Sequence, residues 1–153
     1  MIPTYDLAVV GAGSAGYAAA RTAAGLGLKV AVIEGGKQVG GLCILRGCMP
    51  TKTMLESAHR NYEIERAKEF GIRVGKPKPD WKAILKRKDR LIGEFADYRR
   101  EQLEKGKFTF YRAKGRFTGP HRLALEQVGK VRVPAEIEAK TFLVSCMLFL
   151  FHS

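Results

Sequence analysis

Residues 11–16 read Gly11-Ala12-Gly13-Ser14-Ala15-Gly16, and no other stretch restricts the fold of this 153-residue chain as tightly. Ahead of it, Tyr5 to Val10 is a short apolar run of the kind buried in a parallel sheet. Behind it, a helix rich in small residues is expected from about Ser14 to Leu26. A turn between these two elements needs its glycines for separate reasons. Gly11 permits the tight bend, Gly13 lets a pyrophosphate approach the backbone, and Gly16 lets helix and strand pack closely. The helix N-terminus then offers free N–H groups and the positive end of its dipole to phosphates. Lys29 to Ile33 reads as a second apolar strand ending in Glu34, eighteen positions past Gly16. A carboxylate there can accept both hydroxyl hydrogens of an adenosine ribose and repels a 2′-phosphate. The plain alternative, a glycine-rich turn in an ordinary α/β unit, lacks a reason for the acid. The fingerprint specifies a dinucleotide without saying which one.

The second constraint is the run from Gly40 to Lys52, in which Cys43 and Cys48 lie five positions apart. On a regular helix such residues are roughly 140° apart around the axis and about 7.5 Å along it. A disulfide tolerates Cα separations of only about 4.4–6.8 Å, so an undistorted helix could not close the bridge. Pro50, with no N–H and a fixed φ, is the expected source of the distortion. A pair that bridges only under local strain is reducible rather than structural. The competing interpretation is two inert free cysteines. The Gly-Gly ahead of the pair and the Gly-Cys-Met-Pro-Thr-Lys run at its end favour redox chemistry.

Together, the glycine turn and Gly41-Leu42-Cys43-Ile44-Leu45-Arg46-Gly47-Cys48-Met49-Pro50-Thr51-Lys52 resemble the flavin-dependent pyridine nucleotide-disulfide oxidoreductases. Dihydrolipoyl dehydrogenase, mercuric reductase and glutathione reductase are members. The resemblance implies an α/β fold: a Rossmann-like FAD-binding domain with a parallel sheet, flanking helices and a small antiparallel β-meander. It further implies that Cys43 exchanges with the substrate, that Cys48 faces the flavin as a thiolate, and that Lys52 lies near the reactive edge of the isoalloxazine. FAD would be held by Gly11, Gly13, Ser14, Ala15, Gly16 and Glu34, with Gly41, Lys52 and Gly115 adding contacts. In the family the first dinucleotide unit, ahead of the cysteines, takes FAD and a later one takes NAD(P). A dithiol or disulfide substrate follows, with dihydrolipoamide first, mercuric ion and glutathione as rivals, and a homodimer as the complete assembly.

The remainder of the chain is read from its punctuation. One cysteine helix is expected from about Leu42 to Phe70, with Leu55, Ala58, Tyr62, Arg66 and Phe70 as its core stripe. Gly71 to Pro79 is a connection, and Asp80 is the N-cap of a long helix to about Lys105. Its buried side is expected to be Ile84, Leu85, Leu91, Ile92, Phe95 and Leu103, with Lys86, Arg87, Lys88, Arg99 and Arg100 solvated. Gly106 ends it. Short strands follow at about 108–111, 115–117, 123–125, 130–133 and 137–144.

The chain carries a net charge of +12, and residues beyond Ala58 hold most of it. Such a balance suits an anionic partner. No zinc-ligand spacing, helix-turn-helix or aromatic RNA-binding signature accompanies it, so a solvated basic face is preferred over nucleic-acid binding. Three cysteines and an opening that runs straight into a strand suggest a reducing, cytoplasmic setting. The apolar run from Phe142 to Phe151 is too short for a bilayer-spanning helix. The family pattern is expected to hold over 1–144 and to break at 145–153, where the strand continues into Cys146 and His152 instead of an Ala-Thr-Gly turn. Truncation or a frameshift is the expected cause, leaving an FAD-binding domain incomplete at its C-terminal end. None of His59, His121 or His152 lies in an acid/base motif. An inactive flavin-binding remnant and a small basic binding protein are the competing functions.

Overall fold

The computed structural model describes residues 1–145; the run beyond Ser145, with Cys146 and His152, lies outside the described residues. The chain divides into two compact units, one of residues 1–41 with those from 98 onward, the other of residues 42–97.

In the first unit, strands β1 (Thr4–Val10), β2 (Val30–Ile33), β3 (Thr109–Tyr111), β4 (Ala113–Gly119), β5 (Arg122–Gln127) and β6 (Glu136–Val144) form one sheet ordered β3-β2-β1-β6-β5-β4. Helix α1 (Ser14–Gly25) follows β1. β1 runs parallel to both β2 and β6, and β3 runs parallel to β2. β4, β5 and β6 pair antiparallel in succession, which is the expected meander. The mixed α/β architecture and the Rossmann-like parallel core are as the glycine turn requires.

Period-2 geometry explains how four residues of β2 serve two cores. Val30 and Val32 face one side with Val9, Ala20, Ala23 and Leu103, while Ala31 and Ile33 face the other with Leu123, Leu125 and Ile137. On α1, Gly16, Ala20 and Ala23 are buried at helical spacing, so the side facing the sheet is made of the smallest residues. That lets the helix axis approach the strands closely.

The segment expected as a strand at 130–133 is not one. Backbone N–H groups of Val128 and Gly129 bond instead to the carbonyl of Arg112, at 3.0 and 3.3 Å, and Pro134 offers no donor. The segment is a loop between β5 and β6.

The second unit is built from α3 (Cys48–Arg66), a single 3₁₀ turn at Ala67–Phe70 and most of α4 (Trp81–Glu104). The expected cap holds: Asp80 Oδ1 accepts the N–H of Ala83 at 3.0 Å. The expected core stripe of the cysteine helix does not hold. Leu55, Ala58, Tyr62, Arg66 and Phe70 are all exposed, and Phe70 keeps 71% of its surface. The inward residues of α3 are Met49, Pro50, Thr53, Met54, Ser57 and Asn61, and Arg87 on α4 donates to the Thr53 carbonyl at 3.2 Å. That side mixes apolar and polar residues and is not the expected stripe, so hydrophobic spacing pointed the wrong way. On α4, Leu103 alone is fully buried and Phe95 is exposed. Arg99, expected in solvent, is half-buried with its guanidinium carbon 4.1 Å from the centre of the Tyr17 ring. That stacking replaces water with a π-face.

Candidate functional site

Two groups of residues carry chemistry, one in each unit. The first gathers at the C-terminal ends of β1 and β2. Gly11 has φ +102°, the left-handed bend expected of it. Gly13 is the N-cap of α1 and makes no side-chain cap bond. The N–H groups of the first helical turn, at Ser14, Ala15 and Gly16, therefore keep their bonding capacity for an anion. Gly16 is a matter of space. A Cβ there would lie 1.9 Å from the Gly11 carbonyl oxygen and 3.1 Å from Val9 Cγ1. Gly41, at φ +71°, brings its backbone against the same turn, where an added Cβ would stand 2.6 Å from Gly13 Cα. Two glycine backbones in contact leave a groove with no side chain in it, the shape a pyrophosphate needs.

Glu34 stands at the edge of this cradle. Its carboxylate accepts the Ala12 N–H at 2.9 Å through Oε2 and the Gly36 N–H at 2.7 Å through Oε1. Each oxygen retains a further lone-pair direction, so two ribose hydroxyls can still donate to it. The residues fit a dinucleotide with phosphates over Gly13 and a ribose at Glu34.

Gly115 is placed differently from the rest of this group. It pairs with Leu125, and a Cβ on it would press into the Leu123 side chain at 2.8 Å. Its glycine character serves that packing. Ala113 and Lys114 come to the end of β2 instead. The Ala113 N–H donates to the Glu34 carbonyl at 3.1 Å, and Lys114 Cγ would be 2.8 Å from a Cβ on Gly35. Arg112 was not singled out in the sequence. Its Nη1 and Nη2 donate to the carbonyls of Glu34 at 3.1 Å and Gly36 at 2.6 Å. No motif marks it, because the contact joins residues 78 positions apart.

The second group is Cys43, Cys48 and Lys52. The cysteine helix is broken: Cys43 lies on α2 (Gly41–Arg46) and Cys48 opens α3. The break is at Gly47, the N-cap of α3, not at Pro50. A Cβ on Gly47 would lie 3.1 Å from the Leu42 carbonyl oxygen and 3.3 Å from Cys43 Cα. Pro50 occupies the third position of α3, where a backbone N–H has no intrahelical partner to lose. Thr51 instead ties the new helix to the break, its hydroxyl donating to the Gly47 carbonyl at 2.9 Å. The break folds the chain back so that the two sulfurs meet, which five residues of regular helix would prevent.

Neither cysteine is in a disulfide; Cys43 is half-buried and Cys48 exposed. The Cys48 thiol is held above its ordinary pKa, first by the hydrogen bond it gives Cys43 and then by the charge Cys43 carries once ionised. Loss of the first proton from such a pair opposes loss of the second. Its own backbone N–H, at the start of α3, and the charge of Lys52 pull the other way. These two pulls toward ionisation are outweighed by the neighbouring sulfur. In the reduced chain, Lys52→Met is expected to move the pH profile of Cys48 alkylation by iodoacetamide to higher pH. Cys43→Ser is expected to move it lower. A profile that ignores Lys52 would remove the lysine from the site.

Two hollows lie elsewhere. One of about 630 Å³ is lined by Ser57, Asn61, Pro77 and Ile84 in the second unit. Another of about 530 Å³ opens at the start of β1, beside Tyr5, Lys29 and His121. Open α/β sheets bind ligands at the carboxyl ends of their strands, and the β1 hollow is at the opposite end. His59 is 3.7 Å from Glu63 on an exposed helix face, and His121 Nδ1 lies 3.1 Å from the Ala139 carbonyl. Among the described residues no cluster has metal-ligand geometry, and no helix is long and apolar enough to cross a membrane.

A glycine cradle with an acid at its rim, followed in sequence by a paired dithiol, matches one family of known proteins. Residues 5–144 fit the model of the pyridine nucleotide-disulphide oxidoreductases. The chain belongs to that family. Its members are enzymes acting on sulfur groups with FAD and NAD(P). A dihydrolipoyl dehydrogenase of Chlamydia muridarum is 38% identical over 115 residues, covering 75% of this chain and 24% of the relative. One of Bacillus subtilis is 36% identical over 78% of this chain and 25% of its own length. A glutathione reductase of Burkholderia cepacia is 30% identical over 92% of this chain and 30% of the relative. The chain thus spans about a quarter to a third of the relatives it matches.

Proposed function

We propose that this chain is the FAD-binding portion of a pyridine nucleotide-disulphide oxidoreductase, with the Cys43–Cys48 pair as its redox centre and a dihydrolipoyl-type dithiol as substrate. The contact between Cys43 and Cys48 across the Gly47 break carries the reading, because a sulfur pair so arranged can open and close as a disulfide. The predominance of dihydrolipoyl dehydrogenases among the relatives supports the substrate class.

In this reading the α1 N-terminus and Gly13 bind the pyrophosphate of FAD, and Glu34 accepts the ribose hydroxyls. The bound flavin supplies a two-electron acceptor. With the pair oxidised, one substrate thiolate attacks Cys43, breaking the Cys43–Cys48 bond and releasing Cys48 as thiolate. The second substrate thiol then closes on the first sulfur and expels Cys43, which takes up a proton. The substrate leaves as a disulfide two electrons poorer, and the cysteines hold those electrons as dithiol. NAD(P), a homodimeric partner and a cytoplasmic setting belong to the complete protein in this proposal.

Purification of the 153-residue chain with added FAD tests it. A bound flavin spectrum is expected, with a long-wavelength band on mild reduction that Cys48→Ser abolishes and Cys43→Ser keeps. A chain that binds flavin but shows no such band with intact cysteines refutes the redox role. Failure to bind flavin refutes the cofactor.

A further inference from the structure

Three candidates outside the reaction centre are the hollow at the start of β1, the exposed apolar residues of α3, and the clamp around Glu34; only the last points to a defined ligand. We infer that Arg112 is a positioning residue for adenosine recognition, holding Glu34 in the conformation that receives the ribose. The inference rests on the FAD-binding reading above and goes beyond it, since neither the glycine fingerprint nor the acid calls for an arginine.

The geometry is a closed network. Glu34 uses every backbone group it has: its N–H donates to the Tyr111 carbonyl at 2.9 Å, and its carbonyl accepts from Ala113 N at 3.1 Å and Arg112 Nη1 at 3.1 Å. The same guanidinium reaches Gly36, whose carbonyl accepts from Nη2 at 2.6 Å. Gly36 in turn gives its N–H to Glu34 Oε1 at 2.7 Å. Arg112 therefore fixes the residue that fixes the carboxylate. A planar fork spans two carbonyls two residues apart; a lysine ammonium, a point donor on a flexible stem, does so poorly.

The arginine is itself immobilised. Its carbonyl accepts from Val128 and Gly129, and its Cβ would be 2.8 Å from a Cβ on Gly129, so the loop behind it closes on its stem. Beneath the fork, Gly35 has no room for a side chain under Lys114. Loop 34–36 at the end of β2 is thus held from the β3–β4 junction. Without Arg112, the Gly36 amide is free to swing, and one of the two carboxylate oxygens loses its fixed direction. Second-layer groups of this type set the orientation of those that touch ligand.

The readout that separates positioning from general support is the value of the ribose hydroxyls. Calorimetric titration of the full chain with ADP and with 2′,3′-dideoxy-ADP gives it. The wild-type chain is expected to prefer ADP by about tenfold, the worth of a hydrogen bond to a charged group. In Arg112→Met and Arg112→Lys that preference is expected to fall to about twofold or less, with dideoxy-ADP bound as before. The lysine variant, which keeps charge and stem, serves if Arg112→Met does not fold by circular dichroism. A variant that folds and keeps the wild-type preference overturns the inference. So does an equal loss for both nucleotides, which marks a purely structural arginine. No ADP binding by the wild-type chain sinks the FAD reading itself.

Discussion

Gly16→Ala is expected to abolish FAD binding, weakening it by about a hundredfold or more, and to destabilise the first unit by roughly 3 kcal/mol. The single methyl group would stand 1.9 Å from the Gly11 carbonyl oxygen, closer than any non-bonded contact permits, and 3.1 Å from Val9 Cγ1. Backbone, not a flexible side-chain end, is what it strikes, so α1 must move away from β1. That movement withdraws the helix N-terminus from the phosphate position and opens the contact of Ala20 and Ala23 with the sheet. Gly13→Ala is the matched control. A Cβ at Gly13 meets only Gly41 Cα, at 3.8 Å, an ordinary contact. That variant is expected to keep its melting temperature within a few degrees while losing affinity, because the methyl intrudes on ligand space and not on packing. Flavin fluorescence titration with thermal melts separates the two. A Gly16→Ala chain that binds FAD within threefold of wild type would show that helix and strand need no such approach.

Much of the first unit was legible because its constraints are local in sequence. The turn from Gly11 to Gly16 sits between an apolar strand and a small-residue helix, and each glycine has a distinct steric task. Glu34 is read from spacing alone, because a βαβ unit fixes how far along the next strand ends. Gly115 was singled out through the resemblance alone, and in the structure its lack of a side chain makes room for Leu123 across the sheet. The residues brought to the end of β2, Arg112 and Ala113, lie far along the sequence from it, Arg112 being 78 positions past Glu34, and follow no spacing rule. The same holds for the loop at 130–133: Val131 and Val133 have strand-like composition, but the residues just ahead of them, Val128 and Gly129, are held at the Arg112 carbonyl. In the cysteine segment the closeness of Cys43 and Cys48 was legible and its cause was not. Pro50 is the conspicuous helix breaker, yet near the start of a helix it breaks nothing, and Gly47 makes the bend.

Leu123→Ala is expected to cost about 2–5 kcal/mol, whereas Leu55→Ala is expected to cost less than about 0.5 kcal/mol. Helical periodicity put Leu55 in a core, and turn punctuation put Leu123 in a strand of the meander. Leu123 is fully buried on β5, opposite Ile137 and Phe117, and packs in the cluster with Ala31, Ile33 and Leu125. Truncation there leaves a cavity in a cluster drawn from five hydrogen-bonded strands, which cannot easily collapse around it. Leu55 keeps 61% of its surface, so its removal forfeits little burial. The larger loss corresponds to a fall of roughly 5–15 °C in melting temperature for a chain of this length. Urea unfolding of both variants, with the slope compared to wild type, checks that the difference is stability and not a change in unfolded-state compactness. Equal costs would mean that α3 is covered in solution by something that buries Leu55. Tyr62 on the same helix and Phe70 in the 3₁₀ turn after it would then need the same explanation.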